Sequence, residues 1–123
     1  MQVSRKYLVL IGWLLVVTII TLSLIRIDAA MPKIENSDKI GHFLAYSSLM
    51  AWFTWLYTKA WVRNLYALAF IIMGGLLELL QSMTSFRSAD IADFQANTIG
   101  VIIGFVFAVL TSNIGFIKKT FSL

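Results

Sequence analysis

The chain has 123 residues, of which 59% are hydrophobic and 13% charged, with a formal net charge of +4 at pH 7 and no cysteine. This balance excludes an ordinary soluble domain, and the length leaves no room for a separate soluble module beside several membrane spans. Without cysteine there is no disulfide, thiolate metal site or thiol nucleophile, and the basic excess reads as membrane sidedness, since nucleic-acid binding would need a basic face or module.

The first apolar segment, "YLVLIGWLLVVTIITLSLI" from Tyr7 to Ile25, is long enough to cross a bilayer and is flanked by Arg5, Lys6 and Arg26. A cleaved signal peptide would have a shorter apolar region, and "RIDAAMP" is a poor cleavage site with Arg26 and Asp28 so close, so a retained span is expected. Three more apolar segments follow, at about residues 40–58, 65–83 and 97–117. Pro32 marks the first connection as a loop, and the second is only "KAWVRN". The expectation is one all-α membrane domain over residues 1–123, a compact bundle of four transmembrane helices.

Four spans put both termini and the second loop on one side, which holds Arg5, Lys6, Lys59, Arg63, Lys118 and Lys119 and no acid. The other side mixes Arg26, Lys33, Lys39 and Arg87 with Asp28, Glu35, Asp38, Asp90 and Asp93. The bias of Lys and Arg toward the cytoplasm therefore predicts cytoplasmic termini. Tyr57, Trp61 and Tyr66 cluster at the second loop, where amphipathic rings favour the interface.

Polar residues within the apolar segments repeat at helical spacing. Lys39, His42 and Tyr46 share a face of the second helix, and Glu78 and Gln81 share one in the third. In the fourth, Asp90, Asp93, Asn97, Gly100 and Gly104 follow steps of three and four, a seam that descends about 20 Å at the rise of a helix. Its deep part, "GVIIG", has the GxxxG spacing that lets a neighbouring backbone approach. With alternating helix directions, all three sets lie at the same membrane end and can meet in one pocket, with Lys39 and Arg87 at its rim. A buried Glu78 needs a partner, for which His42, Lys39 and Arg87 are the candidates.

The ordered set "DKIGHFLAY", "GGLLELLQ" and "RSADIADFQANTIGVIIG" resembles the VanZ-like family of small bacterial membrane proteins, named for a member associated with resistance to the glycopeptide teicoplanin. The resemblance runs from about Asp38 to Gly104 and covers Asp38, Lys39, His42, Phe43, Tyr46, Glu78, Gln81, Arg87, Asp90, Asp93, Asn97 and Gly100. It implies a multi-pass protein of the bacterial cytoplasmic membrane, and it carries no established reaction with it.

Each residue also has a plainer reading. Asp38 reads as a helix cap, Phe43 and Tyr46 as packing residues, and Gly100 and Gly104 as packing devices. His42 is divided between an interhelical hydrogen bond and a proton carrier or ligand. Glu78, Asp93 and Asn97 could form a clasp that sets helix register, yet so many ionisable groups at one depth exceed what a clasp requires.

Three functions remain. The first is recognition or handling of an envelope lipid, phospholipid or polyprenyl-linked, with Lys39, Arg87, Gln81 and Asn97 engaging a phosphate headgroup and Tyr46 and Asp90 in the pocket. The second is a membrane-embedded acid/base enzyme using His42, Glu78 and Asp93, or a divalent cation gathered by His42 with Asp90 or Asp93. The third is an assembly role, with a homo-oligomer through "GVIIG" among its forms. No cofactor or metal is assigned, because no tight ligand motif such as HExxH is present. Membrane lipids are the expected partners, and nucleic acid is not one.

Overall fold

The computed structural model describes residues 4–24, 37–83 and 91–121, apart from the side chains of Ser37, Asp38, Gln81 and Ser82. Among these residues all regular structure is helical: α1 Arg5–Leu24, α2 Ser37–Leu56, α3 Ala60–Ser82, α4 Ile91–Thr111 and α5 Gly115–Phe121. Helices α1, α3 and α4 are each long and apolar enough to cross a membrane.

α2 has the length of a span but a more polar composition, and its place in the fold explains why. It touches every other described helix, most extensively α4. Tyr46, Leu49, Met50, Ala51, Phe53, Thr54 and Leu56 of α2 are all buried. A helix covered by protein on several sides does not need an apolar exterior. The outer helices do, and they carry exposed Leu14, Val17, Leu68, Ile72, Ile102, Val106 and Leu110.

Side-chain contacts set the helix directions. The Trp52 indole N–H near the end of α2 donates to the Leu8 carbonyl near the start of α1 at 3.0 Å, so these helices are antiparallel. Gly12 opens that contact, since a methyl group there would stand 3.1 Å from both Trp52 and Phe53. Phe53 packs on Tyr66 and Phe70 while Tyr46 reaches Gly74, which makes α3 antiparallel to α2. Phe43 and Ser47 meet Gly100 and Gly104, and the Trp55 N–H donates to Ala108, so α4 runs parallel to α2.

The connection from α2 to α3 is shorter than "KAWVRN", because helix resumes at Ala60. Arg63, in the first turn of α3, donates through Nε to the carbonyls of Thr54 at 3.0 Å and Tyr57 at 2.7 Å. Thr54 lies in the final turn of α2 and Tyr57 just after it, where carbonyls lack helical donors, so the cation closes the turn. The fourth apolar stretch, expected to continue to Ile117, is broken after Thr111. Ser112 turns back on Val109 through its backbone N–H and its hydroxyl, and Gly115 starts α5. This short helix returns Phe121 to Trp52 and Trp55, with ring centroids 5.0 and 5.6 Å apart.

Candidate functional site

Glycine determines how closely the site-bearing helices approach. A methyl group at Gly100 would lie 2.7 Å from the Phe43 carbonyl oxygen, and one at Gly104 would collide with the Ser47 backbone. Backbone contact is therefore part of the α2–α4 interface, and it draws the two polar faces together. On the α3 side, Gly74 seats Asn97, with 3.0 Å between the methyl position and Asn97 Nδ2, and Gly75 seats the Phe94 ring.

The result is a layered arrangement. At the level nearest the ends of α2, α3 and α4, His42, Glu78 and Asp93 each offer a donor atom within 4.8 Å of the other two. His42 Nε2 stands 3.8 Å from Asp93 Oδ2. Four residues further into each helix are Tyr46, Gly74 and Asn97, and the side chains of Tyr46 and Asn97 both close over Gly74. Another four residues bring Met50, Phe70 and Val101, all part of the buried apolar core. A titratable layer thus rests on a polar floor, and the floor rests on a hydrocarbon plug.

Burial makes this layer demanding. Glu78 and Asp93 are only 7% and 6% exposed, while the His42 side chain retains 15%. Two carboxylates so close together repel one another, and a low-dielectric setting strengthens that repulsion until protons or cations balance it. Asn97 is 1% exposed, and its Oδ1 has no hydrogen-bond partner among the described residues.

The structure thus brings together His42, Tyr46, Glu78, Asp93, Asn97, Gly100 and Gly104. Lys39 is half-buried, one turn toward the start of α2 from His42. Gln81 follows Glu78 by three residues in α3, with a side chain outside the described set, as is that of Asp38. Arg87 and Asp90, with the loop around Pro32, lie outside the described residues. Sequence reasoning overlooked Gly74 and Gly75 as seats for α4, although Gly74 stands four residues from Glu78 and so shares its face.

A separate cleft of about 370 Å³ lies at the opposite end, lined by Arg5, Lys59, Trp61 and Phe121 among others. Arg5 there donates to the Leu56 carbonyl at 2.8 Å and lies over the Tyr57 ring. Among the described residues its lining holds no histidine and no carboxylate.

A chain whose regular structure among the described residues is helical, with three helices long and apolar enough to cross a membrane and an ionisable layer among them, has the makings of a membrane protein. Residues 3–112 match the VanZ/LLP1 family, and the chain belongs to it. No curated protein and no solved structure matches the chain.

Proposed function

We propose that this protein recognises or handles a phosphate-bearing envelope lipid, phospholipid or polyprenyl phosphate, at the outer face of the bacterial cytoplasmic membrane. In this reading all four long helices span as one bundle, both termini are cytoplasmic, and the His42 end opens outward. The carrying observation is the convergence of His42, Glu78 and Asp93 from three helices at one end of an apolar exterior. Lipids reach such a site sideways, with tails along Leu and Ile surfaces and headgroups at the depth of the helix ends. Lys39 supplies a cation one turn above His42, and Arg87 a forked donor suited to phosphate. A role with outer-leaflet lipid carriers would fit the glycopeptide resistance associated with the member for which the family is named.

The 3.8 Å approach of His42 to Asp93 favours one second reading, acid/base work on the same headgroup. A carboxylate that orients an imidazole prepares it to exchange a proton at its other nitrogen.

Native mass spectrometry of the protein in mild detergent tests the lipid role. A phospholipid or polyprenyl phosphate should stay with the wild type and be lost from Lys39→Ala and Arg87→Ala at unchanged melting temperature. Equal retention by all three proteins would reject it.

A further inference from the structure

We infer that His42, Glu78 and Asp93 form a binding site for one first-row divalent cation. Three helices each contribute one ligand, so the site exists only when α2, α3 and α4 are packed. Oxygen and nitrogen ligands about 2.1 Å from a common ion stand roughly 3 to 3.5 Å apart. The His42–Asp93 pair, at 3.8 Å, is close to that spacing, and the whole set lies within 4.8 Å. Small side-chain rotations complete the contraction.

The donor chemistry narrows the ion. One imidazole and two carboxylates form a mixed nitrogen and oxygen set, which suits Zn²⁺, Mn²⁺ or Fe²⁺ better than Ca²⁺ with its all-oxygen shell.

A second observation is independent of the cluster. The Asn97 amide, one turn below Asp93 on the same face of α4, is 1% exposed and holds an oxygen with no hydrogen-bond partner among the described residues. Such an oxygen is costly unless something occupies it, and a water bound to the ion would do so. The sequence lacks a local ligand motif because the ligands come from separate helices.

The cation also deepens the lipid reading, on which this part of the inference rests. Two carboxylates alone repel a phosphate, whereas a metal held by three protein ligands keeps open positions for a phosphate oxygen.

The full-length protein in detergent would be stripped with chelator and titrated with Mn²⁺, Zn²⁺ and Ca²⁺, with lipid removed. Calorimetry and elemental analysis should show one Mn²⁺ or Zn²⁺ per chain, with Ca²⁺ much weaker. His42→Gln, Glu78→Gln and Asp93→Asn should each weaken binding by about 100-fold or more. Co²⁺ absorption in the visible should report a nitrogen ligand that disappears in His42→Gln, whose side chain retains some exposure and which should therefore fold. Substoichiometric uptake by the wild type, or uptake unchanged in His42→Gln, would overturn the site. Metal binding without phosphate-lipid retention would remove the headgroup reading and leave the metal site. Lipid retention by a wild type that takes up no metal would do the reverse.

Discussion

The two ends of the helix assembly use polar groups in opposite ways. At the end where α2 meets α3 through a short connection, polar side chains face backbone. Arg63 closes the last turn of α2 at Thr54 and Tyr57, Arg5 holds the Leu56 carbonyl, and the Trp55 N–H reaches Ala108. Aromatic rings fill the space around them, with Tyr57 stacked on Tyr66 at 5.2 Å. At the other end, His42, Glu78 and Asp93 face one another across three helices. Polar groups that satisfy carbonyls hold the fold, whereas titratable groups gathered from separate helices are poised for something outside the chain.

Substitutions at the two ends should therefore separate stability from binding. The largest loss of stability is expected at the glycine contact between them. Gly104→Ala places a methyl group into the Ser47 backbone and should cost about 3 kcal/mol. Gly115→Ala, which meets open space, should stay within about 0.5 kcal/mol. Thermal unfolding in detergent reads both, and equal melting temperatures would mean that the helices part easily at this seam.

Next in size is Arg63→Met. Removing a charged donor shared by two carbonyls should lower stability by about 2 kcal/mol while leaving lipid and metal binding at wild-type levels. If ligand binding fell in step with stability, the two ends would be coupled and the contrast between them would fail.

The smallest stability effect should accompany the largest loss of binding. His42→Gln keeps a polar group at a partly exposed position and should move stability by no more than about 0.5 kcal/mol. A large drop in melting temperature, with retention unaffected, would make His42 a structural clasp.

Much of the site was legible in local spacing. Steps of three and four put His42 with Tyr46, and Asp93 with Asn97, Gly100 and Gly104, on shared faces; His42 and Tyr46 both face α3 and α4, while Asp93, Gly100 and Gly104 face α2. The seats at Gly74 and Gly75 were harder to see, because a glycine's meaning depends on which side chain lies across from it. Arg63 was read as a loop cation marking membrane side. Its role in ending α2 depends on how tightly the chain turns between Leu56 and Ala60. The break after Thr111 was hidden by apolar residues on both sides, although Ser112, Asn113 and Gly115 are all turn formers.

The sequence by itself determined the solvent, the helical class and the face on which each polar residue lies, because hydropathy and a 3.6-residue period are properties of a single segment. Only the tertiary structure decided that α2 lies at the centre, that Glu78 joins His42 and Asp93, and that glycine contacts hold them together. Those outcomes depend on how each helix is rotated and how closely its backbone approaches the next, which no single segment contains.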